Sequence, residues 1–409
     1  MVSLRIAVLL ALLAVNGWFR VSAAEIRGGA ALREHALLLR VPYELGAPLE
    51  SPRSFGISET AVRGWGRARA GRFSCEAALE SRGSFVSSGG SLSGFGGFFN
   101  TGRPLERFDM TFTHTQTPSM HLRTRLETLS VSWETGTFDF RVGRQPVSLG
   151  TSHFVGVLDV IAPFAPGDLD ATYKPGVDAV RVRTGLGSAG EAELIGVGAK
   201  PWGEGALIGL GRVSIRGLDT VVTGGRFRGR GFGGVAWEGE AAPVGLWGEL
   251  ALFERKPARE RRYGGWSKAA FSGIAGAEFF IPRHVRTGIA LMFQDFGARR
   301  AKDLATVYLD APYREGWVFL GSAGYALLNL HRELHPLVNA DAAGLANLTD
   351  GSTLWQPRIT VSVSDNSDLT VYGWIGTGRT PRREGFVVIT RSEFGMLPDG
   401  GGVYARWFF

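Results

Sequence analysis

The last stretch of the chain, residues 401–409, most constrains what it can fold into. Read with the two-residue period of a β-strand, one face carries Val403, Ala405, Trp407 and Phe409 and the other carries Tyr404, Arg406 and Phe408. Soluble domains rarely end on three aromatic residues, because chain termini are usually frayed and polar. A barrel closed within a bilayer has a use for this ending, since its last strand must pair with its first and aromatic side chains lie at the lipid–water interface. The pattern therefore predicts a transmembrane β-barrel.

The N-terminus has the pattern of a secretory signal peptide over residues 1–24. Arg5 supplies a positive start, and the apolar run from Ile6 to Val15 is too short to span a bilayer. Small residues at 21–24 then provide a cleavage site. We therefore expect residues 25–409 to form the mature protein, as a single barrel domain.

Composition and charge agree with an exported barrel. Among 409 residues there are 59 glycines and 11% aromatic residues, which suit curved strands better than helices. The formal net charge is +7, which would ordinarily suggest nucleic-acid binding. Export from the cytoplasm makes that a poor explanation, so we expect no nucleic-acid partner. A basic pore lining, or contact with anionic lipopolysaccharide, fits the charge better.

Strand counting predicts an all-β, antiparallel up-and-down barrel of about 18 strands, with 16 as the alternative. Alternating stretches recur along the chain, and the first, at about 35–45, is the least regular. Compact turn signals alternate with longer polar connections at roughly 83–119, 148–176, 255–268, 297–315 and 379–399. Both ends of a single-chain bacterial barrel lie in the periplasm, so the short turns are expected there and the long loops outside the cell.

Charged residues on one face of several strands predict a polar interior. Asp139 and Arg141 alternate with phenylalanines, Arg181 and Arg183 alternate with valines, and Arg358 lies among apolar residues of opposite parity. Charged side chains are rarely removed from water unless they have ion-pair or hydrogen-bond partners. We therefore expect these five residues to line a water-filled pore. The stretch 120–134 breaks the pattern, because its arginines share a parity with Leu129, Val131 and Trp133. A bulge near Thr128 would restore the alternation.

Several motifs carry a resemblance to a known group. They are Gly143-Arg144-Gln145, Tyr173-Lys174-Pro175-Gly176-Val177-Asp178-Ala179-Val180-Arg181, Asn347-Leu348-Thr349-Asp350-Gly351-Ser352 and Glu393-Phe394-Gly395-Met396-Leu397-Pro398. They resemble proteobacterial outer-membrane porins that are distant relatives of the alginate-export barrels. The resemblance spans about 140–409 and implies a channel in a Gram-negative outer membrane rather than an enzyme. The final strand also resembles the closing strand of such barrels, which implies that Trp407 and Phe409 form a signal for the β-barrel assembly machinery.

The connection at 148–176 is too apolar for a loop that extends into water. Its valines, leucine, isoleucine and phenylalanines need somewhere to be buried, and loops of this length are usually functional when ordered. We interpret it as an extracellular loop that folds into the barrel mouth. Asp159, Asp168 and Asp170 would then face the arginines at 141, 181 and 183 across a constriction. The alternative is that the loop packs only on the wall and its acids are solvated.

Other motifs do not indicate catalysis. The Gly185–Gly190 stretch matches a dinucleotide-binding pattern but precedes a strand instead of a helix, so it is a turn. The pair His331 and His335 has zinc-like spacing in the wrong motif order and on a strand. We therefore predict no metal, no cofactor and no catalytic residue. A hydrolase at the barrel rim stays open as an alternative through three histidines: His114, His121 and His153.

The function expected from these features is passive diffusion of small polar or anionic solutes through an outer-membrane channel. Outer-membrane lipid and lipopolysaccharide are the expected neighbours, and the basic loop at 255–262 is either solvated or in contact with lipopolysaccharide phosphates. The alternative is a barrel that does not conduct and acts in surface binding or as a rim hydrolase.

Overall fold

The computed structural model describes ten stretches of the chain. These are residues 25–40, 54–87, 105–151, 155–164, 172–187, 190–256, 260, 268–282, 284–384 and 387–409. The predicted signal peptide, His153, Asp168 and Asp170 lie outside these residues.

Eighteen long antiparallel strands form the wall of a closed barrel. In chain order they are β1 Glu25–Arg40, β2 Ser54–Ala70, β3 Phe73–Val86, β4 Met120–Glu134, β5 Phe138–Gln145, β6 Val177–Gly185, β7 Gly190–Val197, β8 Ala206–Ile215, β9 Leu218–Phe227, β10 Arg230–Ala241, β11 Val244–Glu254, β12 Ala269–Ile281, β13 Val285–Gln294, β14 Gly324–His335, β15 Val338–Asn347, β16 Thr353–Ser364, β17 Ser367–Thr377 and β18 Asp399–Phe408. Each strand pairs with its neighbours in sequence, which is the up-and-down topology predicted.

The ring closes between the first and last strands. The pairing of β1 with β18 runs from Ala31 opposite Phe408 to Arg40 opposite Asp399. Beyond it, the amide of Ala30 donates to the carbonyl of Phe409 at 3.0 Å and the amide of Phe409 donates back at 2.8 Å. Closure satisfies the backbone groups that an edge strand would expose to lipid. The first strand begins at Glu25, well before the predicted start near 35, because glycines and alanines hide its alternation in the sequence.

The connections differ in length at the two ends of the barrel. At one end, which we call the short-turn end, every connection is a compact turn: 71–72, 135–137, 186–189, 216–217, 242–243, 282–284, 336–337 and 365–366. The other end carries the long connections, with a tight turn at 228–229 and a short one at 348–352 among them. The predicted parity is therefore confirmed, and the count is 18 rather than 16.

A few short strands and helices lie at the long-loop end. The strand Thr111–Gln116 pairs alongside β4, and Arg382–Glu384 pairs with Val387–Ile389. The helices Leu304–Val307 and Ala311–Arg314 lie in the connection between β13 and β14. Among the described residues, none of the helices has the length and apolar character needed to cross a bilayer.

The irregular strand β4 contains a bulge at the predicted place. Ala78 lies opposite Thr128, but the next residue, Leu79, lies opposite Leu126, so Glu127 is the extra residue. The bulge shifts the parity of the chain. Arg123 and Arg125 therefore point to one side of the wall, whereas Leu129, Val131 and Trp133 point to the other and are 41, 52 and 44% exposed.

Candidate functional site

The strand register separates two faces of the wall. Side chains directly opposite each other on paired strands point to the same side. One face can be followed through Arg63 opposite Glu80 and Glu80 opposite Arg125, and further round the ring through Arg183 opposite Glu193. This charged face is the inner one, because segments of the loop after β5 contact it on opposite walls of the ring, as described below. The other face carries exposed apolar side chains, as lipid contact requires.

The five residues predicted to line a pore all lie on this inner face. Arg141 pairs with Glu76 at 2.6 Å, and Arg181 pairs with Glu193 at 2.6 Å. Arg183 is more loosely placed, 3.8 Å from Glu191 and 3.9 Å from Glu193. On the far side of the closure, Arg358 pairs with Asp341 at 3.3 Å. Asp139 is exposed and lies opposite Arg183 in the register.

A second group of charges on β1–β4 extends this row. Glu80 is buried and forms an ion pair with Arg33. Guanidinium nitrogens of Arg82 and Arg63 lie 2.7 and 3.7 Å from its carboxylate oxygens. Arg125 pairs with Glu106 and lies 3.4 Å from Glu127. Sequence reasoning missed this group, because β1–β3 carry no motif and the bulge hides the parity of β4. The charged face therefore runs without interruption from β1 to β8, which we call the charged arc.

The loop after β5 is anchored on the opposite wall by one carboxylate. Glu249 on β11 has no exposed surface and accepts hydrogen bonds from the backbone amides of Thr151 at 2.6 Å, Val157 at 2.8 Å and Leu158 at 3.1 Å. Gly234 of β10 leaves the space that Leu158 fills, since a Cβ there would lie 2.2 Å from the leucine side chain. Three amides on one buried carboxylate fix both arms of this turn against the wall.

The other end of the same loop contacts β1 and β2. The ring of Tyr173 lies under the guanidinium groups of Arg33 and Arg63, at 5.3 and 4.3 Å from the ring centroid. Thr172 accepts a hydrogen bond from Arg406 on β18 at 3.1 Å. Strands β1 and β11 lie on opposite sides of a ring of 18. The described parts of the loop therefore touch both walls of the barrel.

Asp159 does not face the arginines of the wall. It forms an ion pair with Lys174 of the same loop, and Lys174 also donates to Ser148 at 2.8 Å. Burial raises the pKa of Asp159 and lowers the pKa of Lys174, while each charge favours the ionised form of the other. The pair joins the two arms of the loop, so the expected opposition of Asp159 to Arg141, Arg181 and Arg183 is wrong for this residue.

The inner face of β9–β13 is mainly apolar near the long-loop end, apart from Glu249, and it is covered there. Phe253 packs against Phe232, Phe296 and Trp317 with ring centroids between 5.1 and 5.6 Å apart. Phe296 and Trp317 belong to the connection after β13, so that connection lies over this part of the wall. A small cavity of about 30 Å³ lies between it and residues 155–164. The connection after β13 therefore covers the long-loop end of β9–β13.

A buried glutamate ties three connections together at the long-loop end. Glu393 accepts from the amide of Gly321 at 2.6 Å, from Tyr325 at 2.5 Å and from Asn347 at 2.7 Å. Tyr308 donates to Oε1, the carboxylate oxygen that also accepts from Gly321, at 3.1 Å. Burial raises the pKa of Glu393, and the hydrogen-bond donors act against that shift. Two of the motifs that carry the resemblance, at 347–352 and 393–398, therefore meet in one structural network.

The other two motifs also meet, on β5 and β6. Arg144 donates to Asp178 at 3.0 Å, and Asp178 accepts from the amides of Arg107 and Phe108, both at 2.9 Å. These groups hold the segment before Thr111 against the wall and do not join the charged face. The motif residues are structural, and the sequence alone could not separate that role from binding.

Two described residues of the basic loop at 255–262 differ from the expectation, and the prediction for the rest of the loop stays untested. Arg255 is buried and donates to the carbonyls of Ala269 at 3.0 Å and Asp295 at 3.2 Å. Glu260 forms a buried pair with Arg230. Neither residue is solvated, and neither is placed to contact lipopolysaccharide. Residues 257–259 and 261–262 lie outside the described residues.

Solved structures share this architecture. OccAB1 of Acinetobacter baumannii superposes with a TM-score of 0.56 at 10% identity, over 95% of this chain and 99% of that one. OccAB4 of the same organism gives 0.54 at 9% identity over 96% and 100%, and OccD3 (OpdP) of Pseudomonas aeruginosa gives 0.52 at 8% identity over 93% and 91%. The sequence matches no family model and no curated protein.

Identities this low show a shared fold alone. They support the closed barrel fold that the resemblance to outer-membrane porins implies. They give no support to the alginate-export resemblance.

Proposed function

We propose that the protein is an outer-membrane channel for passive diffusion of small polar or anionic solutes, without catalysis. The observation that carries the proposal is the charged arc, a continuous row of arginines and acids on the inner wall of a closed barrel. So many charges need water beside them, because the cost of burying them dry exceeds what their mutual attraction returns. A water-filled strip with excess arginine favours anions.

The loop at 148–176 is proposed as the constriction of this channel. Its contacts with Glu249 on one wall and with Arg33 and Arg63 on the other support a path across the lumen. An 18-strand barrel is wide enough for an aqueous channel, so a crossing segment is what would limit the size of the solute. We propose that Asp168 and Asp170 belong to the same constriction.

The membrane context follows from the same reasoning. Exposed apolar side chains on the outer face are proposed to contact outer-membrane lipid. Residues 1–24 are proposed to direct export, and Trp407 and Phe409 to be read by the assembly machinery. The short-turn end, where both chain termini of the barrel lie, would then face the periplasm.

Planar bilayers test the proposal directly. Purified protein should produce discrete conductance steps, and a salt gradient should give a reversal potential on the anion-selective side, larger at low ionic strength because salt screens the arginines. Folded protein that inserts without conductance steps would favour the non-conducting alternative. A rim hydrolase has less support. Among the described residues, His114 forms a hydrogen bond with the hydroxyl of Thr124 at 2.9 Å and none with a carboxylate.

A further inference from the structure

The outer face has a groove at the short-turn end that nothing above assigns. It has a volume of about 230 Å³ and is formed by the turn after β8 together with β9, β10 and β11. Leu218 and Leu246, 46 and 45% exposed, form its walls. Both belong to one cross-strand row, in which Leu218 lies opposite Gly239 and Gly239 lies opposite Leu246. The groove is therefore on the lipid-facing side of the wall.

Glycines make this groove, and a tryptophan shapes it. Gly239 has no side chain to fill the space between the two leucines. A Cβ on Gly248 would lie 2.2 Å from the ring of Trp237, so the indole rests flat on the neighbouring strand at that position. A tryptophan at the end of a barrel strand is typical of the lipid–water interface. The floor and one side of the groove thus lie at the depth where lipid headgroups begin.

A cation lies at the mouth of the groove. Arg216 lies in the turn between β8 and β9. Its backbone has a φ of 53°, a left-handed conformation that places the residue beyond the end of the strand. It is exposed, and the described residues offer it no ion pair or hydrogen bond. Guanidinium groups bind phosphate oxygens with directional, charge-assisted hydrogen bonds. The lining of the groove is mainly apolar, with Glu240 as its acid and Arg216 as its cation. A groove of this kind that ends in an unpaired arginine is complementary to a molecule with an acyl chain and a phosphate.

We propose that this groove binds a glycerophospholipid of the membrane leaflet at the short-turn end. The phosphate diester pairs with Arg216, and an acyl chain lies along Leu218, Trp237 and Leu246. This inference rests on the membrane orientation given under the proposed function and does not depend on conduction. It commits to a phospholipid; a second copy of the barrel on the same groove is an outcome of the test below.

Native mass spectrometry of the detergent-solubilised protein, titrated with phosphatidylglycerol, tests the site. Arg216→Gln should weaken lipid binding about fivefold, the effect of one arginine at a membrane surface. Arg72→Gln is the matched control, since Arg72 lies in the β2–β3 turn, away from the groove, and should change nothing. Equal loss in both variants would mean general charge attraction and would overturn the proposal, as would unchanged binding in Arg216→Gln.

A second arm separates a lipid from its headgroup. Trp237→Ala should also weaken binding of phosphatidylglycerol, whereas glycerol phosphate, which has no acyl chains, should show no binding preference between wild type and this variant. Heat-modifiable migration on gels confirms folding, and Leu246→Gln replaces Trp237→Ala if that variant does not fold. Dimers in place of lipid adducts would overturn the phospholipid assignment. Conductance of the same preparation is measured in parallel, so a failure of the channel proposal is seen separately.

Discussion

At the scale of single residues, the arginines of the charged arc are not equivalent. Arg181 contacts buried Glu193 at 2.6 Å and its side chain is 14% exposed, whereas that of Arg183 is 43% exposed with partners near 4 Å. Replacing Arg181 by Gln leaves a buried carboxylate with weaker partners, so we expect a loss of about 1–3 kcal/mol in the free energy of unfolding. Arg183→Gln should change stability by no more than about 0.5 kcal/mol.

Urea titrations followed by tryptophan fluorescence measure the stability difference. Both variants remove one positive charge, so both should shift the reversal potential towards cations, and by similar amounts. If Arg183→Gln proved the more destabilising of the two, the ranking by burial would be wrong.

Accessibility to reagents is the second property argued at this scale. In a Cys75→Ser background, Arg141→Cys and Arg358→Cys should react with water-soluble thiol reagents in reconstituted vesicles, because both positions share the inner face. Val180→Cys is the control, since Val180 is exposed on the outer face, next to Arg181, and should be protected by lipid. Reaction at Val180 with protection at Arg141 would reverse the assignment of inner and outer faces.

At the scale of elements, the loop at 148–176 depends on contacts with distant strands. Removing the carboxylate with Glu249→Ala leaves three backbone amides without an acceptor, and the loop should leave the wall. Single-channel conductance should therefore rise towards the value of a deletion of Asp159 to Asp170. Glu278→Ala, which removes an acid from the inner face of the adjacent strand β12, controls for the change of charge.

Conductance that stays at the wild-type value in both the Glu249 variant and the deletion would place the constriction elsewhere. A rise in the deletion alone would show that the loop constricts the channel and that Glu249 is not what holds it.

At the scale of the whole molecule, closure of the ring depends on the last residue. Phe409 exchanges two backbone hydrogen bonds with Ala30, and its side chain lies exposed on the outside. Deleting it removes both bonds and the terminal aromatic group, so less barrel should be assembled in cells. Heat-modifiable migration of membrane fractions gives the assembled amount. Phe73→Ala, which removes an exposed outer aromatic residue away from the closure, should assemble more fully than the deletion.

The sequence by itself determined the kind of wall this chain builds. Side chains alternate between the two faces of a strand as a local property of the backbone, so the placement of Arg141, Arg181 and Arg358 on one face follows from neighbours a few residues away. The same local rule located the bulge in β4 from a break in parity. Strand number and turn parity followed because each short turn has its own local residue signature.

Only the tertiary structure decided what fills the barrel. Glu249 anchors the loop through backbone amides that lie about a hundred residues away in the sequence. Asp159 pairs with Lys174 and not with the arginines of the wall. Likewise, Arg33 and Glu80 meet because β1, β2 and β3 pair in one register. Such contacts depend on which strands are neighbours in the ring and which lie opposite each other, and no local pattern of residues encodes that arrangement.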